Sequence, residues 1–183
     1  MFIGLVNVIV ALGSLVAIGF GIYHHLTIYD PFVLVSSIIY VLVVVGTRWL
    51  HPNRRVTAIL QLCLVINMIL NGMGTASLYR TSYHYDDLVH FISPAMLTYV
   101  GAMWLALKHK PVWPAIVFAA VISLGWEPVE IFFDAVFGTQ TVGQWNQPLD
   151  TRYDLIVDTL GIVVAAIVFF KTKVRLLRWL QHQ

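Results

Sequence analysis

Charge is what this sequence has least of. Only 11% of its 183 residues are charged, against about 25% in an ordinary soluble domain. With 59% of residues hydrophobic, there is too little polar surface to clothe a water-soluble exterior. The same composition excludes a disordered chain. The formal net charge is +2, too small to argue for nucleic acid, and the basic residues form no evident stripe. One cysteine, Cys63, excludes an internal disulfide and a cysteine-cluster metal site. It lies in an apolar run with no evident base to activate it. No G-x-S-x-G elbow, H-E-x-x-H, glycine-rich nucleotide loop or haem pair occurs. Nucleotide, haem and flavin cofactors are therefore not expected. Internal repeats, low-complexity runs and a second domain are not evident. The first apolar run has no basic leader and no A-x-A site, so it does not read as a signal peptide.

What is present is long hydrophobic runs. The mean hydropathy is +0.81. A membrane-crossing helix needs about 20 mostly apolar residues. Six stretches qualify: residues 2–23, 32–50, 56–79, 88–107, 113–137 and 153–171. An open strand cannot satisfy its backbone in lipid, so these read as helices. Pro31, Pro52 and Pro111 punctuate the connections. The expected fold is an all-α integral membrane bundle of six transmembrane helices, one polytopic domain over residues 1–183.

Orientation follows from the basic residues. Arg48, Arg54, Arg55, Lys108, Lys110, Lys171, Lys173, Arg175 and Arg178 fall on one side if the helices alternate. Arg80 and Arg152 fall on the other. Both termini are therefore expected in the cytoplasm of an inner or plasma membrane. Tyr23, Tyr29, Tyr79, Tyr83, Tyr85 and Tyr153 then mark the outer interface; Trp49, Trp113 and Trp179 mark the inner one.

The nine acids are more informative. Asp30, Asp86, Asp87, Glu127, Glu130, Asp134, Asp150, Asp154 and Asp158 all fall in the outer half or outer loops. The positive-inside rule does not demand this, because acids contribute little to topology. Asp86 and His90 are spaced i, i+4 at the start of the fourth span, and Asp154 and Asp158 repeat that spacing in the sixth. Glu127, Glu130 and Asp134 share one face of the fifth. At about 1.5 Å per residue, His90, Glu130 and Asp158 lie roughly 5–10 Å below the outer surface. Glu127 lies deeper. One outward-facing cavity can collect them.

Acids within a membrane are functional by default. Packed together they must protonate or bind a cation. The expected metal ligands are Asp86, His90, Glu130, Asp154 and Asp158, for a divalent ion such as Mg²⁺, Mn²⁺, Ca²⁺ or Zn²⁺. Glu127 and Glu130 are the candidate general acid and base, and Arg152 a candidate phosphate or carboxylate holder. Gly161 is expected to let helices approach closely at the floor of the site. Pro94 and Pro128 free the carbonyls of His90 and Leu124; a kink there would open the bundle at the level of the acids, but prolines are common in membrane helices and neighbours are expected to re-satisfy the freed groups. The segment from Gly138 to Arg152, with Trp145, is a candidate lid. His24 and His25 read as interfacial, and Asn67, Asn71 and Thr75 as interhelical glue.

These residues also carry a resemblance. Tyr85-Asp86-Asp87-Leu88-Val89-His90-Phe91 resembles the D-x-x-x-H-F opening of the YjdF-like membrane family. Glu127-Pro128-Val129-Glu130 resembles its E-x-x-E. Phe137-Gly138-Thr139-Gln140, Asp150-Thr151-Arg152-Tyr153-Asp154, Asp158 and Gly161 resemble its closing segment. VanZ-like proteins are more distantly similar, with amides where this chain has Glu130 and Asp158. The resemblance covers about residues 80–165. It implies a multi-spanning bacterial-type membrane protein and leaves the reaction open.

Three functions fit. The favoured one is a metal-dependent hydrolase or transferase acting on a lipid, lipid-linked or other amphipathic phosphate or ester at the outer leaflet. A cation or proton transporter is the second, weakened by the absence of charge in the inner half of the spans. A non-catalytic sensor or assembly protein is the third.

Overall fold

The computed structural model describes residues 2–28, 31–50, 53–79, 82, 84–138 and 147–181, and the regular elements among them are all helical. Tyr29, Asp30, Pro52, Arg80, Tyr83, Thr139, Gln140 and Trp145 lie outside the described residues, as do the side chains of Arg48, Asp134 and Asp150. The helices are α1 (Phe2–Ile28), α2 (Pro31–Leu50), α3 (Arg54–Met73), α4 (Tyr85–Leu107), α5 (Trp113–Phe137) and α6 (Gln147–Gln181). A π-helical turn, Gly74–Leu78, continues α3. Five apolar spans are long enough to cross a membrane: Ile3–Thr27, Arg54–Ala76, Tyr85–Leu107, Trp113–Phe132 and Thr151–Leu180. In α2 the apolar stretch is shorter, Val33–Thr47. Large apolar side chains such as Leu12, Leu15 and Val16 are exposed, as expected where the surrounding solvent is lipid.

Local chemistry sets the helix ends. Pro31 is the first residue of α2, Pro114 the second of α5 and Pro148 the second of α6; a missing N–H costs nothing in a first turn. Asn53 caps α3, its side chain accepting from Arg55 N and Val56 N. The end of α4 is a Schellman motif. Lys110 N donates to Leu105 O and His109 N to Ala106 O, with His109 in the left-handed region at φ 53°. After α5, Gly138 takes φ 64°, which a side chain would resist. Pro94 and Pro128 both lie inside continuous helices.

The last helix differs from expectation at both ends. It begins at Gln147, not Tyr153, and runs to Gln181, not Lys171. Residues 147–152, expected as part of a lid loop, are helical. No glycine or proline follows Gly161 to stop the helix, and the tail is rich in leucine, lysine and arginine. The longer helix also corrects the reading that the basic residues form no stripe. Lys171, Arg175 and Arg178 are spaced i, i+4, i+7, and all three are exposed.

The chain divides into two compact units, Met1–Tyr85 and Asp86–Gln183. In the first, α1, α2 and α3 enclose a core of Val6, Val10, Ala17, Val44, Ala58, Val65 and Met68. Several of its polar side chains are satisfied within the unit. Gln61 Nε2 donates to Val44 O at 3.1 Å, and Thr47 Oγ1 donates to the same carbonyl at 2.6 Å. Tyr40 donates to Asn67 Oδ1 at 2.5 Å, Asn71 Nδ2 to Asn67 Oδ1 at 3.1 Å, and Tyr79 to Asn71 Oδ1 at 3.3 Å.

In the second unit, α4, α5 and α6 alternate in direction, so α4 and α6 run parallel. Their pairing keeps a near-constant offset. His90 meets Asp158, Phe91 meets Gly161, and Tyr99 meets Phe169 and Thr172. Gly161 fixes the register, because a Cβ there would run into the Phe91 carbonyl oxygen. Replacing Gly161 with Ala must therefore push α6 off α4. We expect a loss of about 1–3 kcal/mol, read as a lower melting temperature of the detergent-purified protein. Gly125→Ala, where a Cβ would meet nothing within 4 Å beyond its own stretch of helix, should not lower it and should raise it slightly through helix propensity.

Candidate metal centre

The parallel pairing of α4 and α6 turns two sequence-local motifs into one site. Asp86 and His90 project from one turn of α4, and Asp154 and Asp158 from one turn of α6. His90 Nδ1 lies 3.2 Å from Asp158 Oδ1, and its Nε2 lies 3.7 Å from Asp86 Oδ1. One donor atom each from Asp86, His90 and Asp154 lie within 4.8 Å of one another. Donors around a shared ion stand roughly 3–4 Å apart, so a small contraction would close this triad on a cation.

The hydrogen bond on Nδ1 matters as much as the triad. An ionised Asp158 only accepts, so the Nδ1 proton is held toward it and the lone pair of a neutral imidazole is left on Nε2. That nitrogen faces Asp86. Asp158 thus orients the imidazole, as outer-sphere carboxylates do for metal-bound histidines. His90, Asp154 and Asp158 are buried, at 9%, 5% and 4% exposure, whereas Asp86 is half-buried on the more open side. Two carboxylates about 4 Å apart repel by about 4 kcal/mol at an effective dielectric near 20. Such a cluster needs protons or a cation for balance.

Glu127 and Glu130 approach from α5. Glu127 is buried at 4% exposure and accepts from Thr151 Oγ1 at 3.0 Å. Glu130 accepts from Trp126 Nε1 at 2.6 Å and lies within electrostatic range of Glu127, His90 and Asp86. The two glutamates and Asp158 therefore stand beside the three-donor group, and none of them belongs to it. Arg152 does not join them: it is exposed, and at about 100° per residue it sits on the opposite face of α6 from Asp154 and Asp158. His24 is buried in the first unit, where it packs against Phe20 with ring centroids 5.7 Å apart.

Two contributors escape a reading of the sequence. Trp126 is legible after the fact, because it stands one turn from Glu130 on the same helix. Thr151 bonds Glu127 across 24 positions, and no local signal announces that contact. Chemically, two carboxylates and one imidazole form a mixed oxygen–nitrogen set with coordination positions left for water or substrate.

Compared with known families, residues 5–175 match the model of one described as "Predicted membrane protein (DUF2238)". That is the YjdF-like family whose motifs the segments around Asp86, Glu127 and Asp154 resemble. A similarity to VanZ-like proteins is not shown. No curated protein and no solved structure matches the chain.

The Thr151–Glu127 bond gives a check on this geometry. Thr151→Val preserves shape and removes a hydrogen bond from a buried carboxylate. The expected loss is about 1–3 kcal/mol, measured by thermal unfolding, with Thr159→Val as the exposed comparison on the same helix.

Proposed function

The chain belongs to this family of predicted membrane proteins, and we propose that the acids and histidine in its long apolar helices form a divalent-cation site serving chemistry on a lipid or lipid-linked phosphate or ester. The observation that carries the reading is the triad of Asp86, His90 and Asp154, with Asp158 on the far nitrogen of the imidazole. Asp86, His90 and Asp154 hold the cation, and Asp158 sets the tautomer. The cation supplies Lewis-acid polarisation of a phosphate or carbonyl oxygen and activates water. Glu127 and Glu130 carry protons as general acid and base.

The cation identity is tested directly. Protein purified without chelator should contain about one equivalent of Mg, Mn, Ca or Zn by elemental analysis, and chelation should lower its melting temperature. Asp86→Asn and Asp154→Asn should lose the metal. Asp158→Asn should retain it with affinity weakened about 10–100-fold. If chelation leaves the melting temperature unchanged, and Asp154→Asn stabilises the protein with no metal to lose, protons balance the cluster and the metal reading fails.

We also propose six spans, with both termini in the cytoplasm and the site open to the outer side of an inner or plasma membrane. The support is the division of basic residues along the sequence. In a Cys63→Ser background, an impermeant thiol reagent should label His84→Cys in intact cells. Lys110→Cys should be labelled only after lysis. The reverse pattern overturns the orientation.

A second reading, proton or cation transport, draws on α4. Ser93 Oγ, Thr98 Oγ1 and Trp104 Nε1 are buried atoms there without a hydrogen-bond partner among the described residues. Bound water would satisfy them and line a route away from the acids. Proton flux in proteoliposomes, lost in Thr98→Val, would favour transport over catalysis.

A further inference from the structure

The end of the second unit remote from the acids is built as oppositely as it can be. Residues 88–126 and 159–183 contain no acidic residue. Lys108, Lys110, Lys171, Lys173, Arg175 and Arg178 cluster in those segments, and all six are exposed. Lys108 lies over the Trp104 ring at 4.3 Å and Lys173 over the Phe170 ring at 5.7 Å. The Tyr99–Thr172 hydrogen bond, 3.0 Å, ties α4 to α6 at this level.

The length of α6 places these cations at a boundary. Its 35 residues make a rod of about 52 Å, against a hydrocarbon thickness of about 30 Å. Charge enters the second half of the helix only at Lys171, and charge is costly inside the apolar layer. Along one face the side chains change character. Val164, Ile167 and Val168 are exposed and apolar. They are followed on the same face by Lys171, Arg175 and Arg178, within an arc of about 60°.

We propose that this face of α6 binds an anionic phospholipid of the adjacent leaflet. The acyl chain lies along Val164, Ile167 and Val168, and the phosphate and headgroup sit between Lys171, Arg175 and Arg178. A free phosphate would match the cations and leave the apolar half of the face unexplained; a phospholipid matches both. No acidic residue follows Asp158 to neutralise the ladder from within α6. The site is independent of the metal centre, because its cations and the acids occupy different levels of the unit.

The test uses the whole protein in nanodiscs, with Trp179 as the reporter. Trp179 is exposed on α6 beside Arg175 and Arg178, and its signal is isolated by subtracting that of Trp179→Phe. Brominated phosphatidylglycerol should quench it with about tenfold preference over brominated phosphatidylcholine. Each neutralised cation should weaken that preference about twofold, so that the three together account for it. The preference should collapse in Lys171→Gln/Arg175→Gln/Arg178→Gln and in 1 M salt, and survive in Arg175→Lys/Arg178→Lys. Equal quenching by the two lipids in the wild-type protein at low salt overturns the proposal without reference to any variant's folding. So does a preference that the triple neutralisation leaves intact.

Discussion

The backbone contact between Gly161 and the Phe91 carbonyl sets the second unit. Two parallel helices can approach that closely only where one of them has no side chain. Once they do, the register of everything one turn away is determined. Asp158 comes to Nδ1 of His90, and the i, i+4 pair on α6 lies opposite the i, i+4 pair on α4. The ring of Phe169 and the hydroxyl of Thr172 reach Tyr99 further along the same seam. A shift of one residue would rotate Asp154 and Asp158 by about 100° and dismantle the triad. The site is thus a consequence of packing, and the packing rests on a missing methyl group.

The bilayer explains why the unit is so polarised along its length. Lipid offers no hydrogen bonds, so charge is affordable only in a satisfied interior or at the boundary. Both solutions are used. The acids gather at one end of the unit, in the first turns of α4 and α6 and the second half of α5, where hydroxyl, indole and imidazole groups bond to them. The cations gather towards the opposite end, in the last turns of α6 and just after α4. Between the two lie Val100, Ala102, Met103, Ala115, Ala119, Ala165 and Phe169, buried and uncharged. Such an arrangement concentrates electrostatic free energy at two levels and leaves the middle to dispersion and shape.

The first unit handles polarity differently. Tyr40, Asn67, Asn71 and Tyr79 bond in a chain, and Gln61 and Thr47 share the Val44 carbonyl. These groups are neutral and mutually satisfied, so they specify helix packing without calling for a ligand. The groups around His90 are carboxylates, several of them ionisable within one cluster. Side chains that satisfy one another read as structure; side chains that still need a charge balance read as a site.

Much of this was legible from residues alone. The scarcity of charge and the length of the apolar runs pointed to helices in a membrane, because an open strand cannot satisfy its backbone there and about 20 apolar residues is the length of a helical span. The pairs Asp86/His90 and Asp154/Asp158 declared themselves by helical spacing, since residues four apart share a face whatever the tertiary structure. Gly161 was expected at a close approach and is found at one. Tertiary structure decided the rest. Spacing cannot say which carboxylate takes Nδ1 and which faces Nε2, because that depends on how α6 is rotated against α4. Spacing likewise left Arg152 among the acids, although its position on α6 turns it the other way. The reach of α6 to Gln181, which lines up Lys171, Arg175 and Arg178, was hidden because a span's apolar core marks the membrane and says little about where the helix stops. A sequence states which residues share a helix face; only the packing of one helix on another states what that face meets.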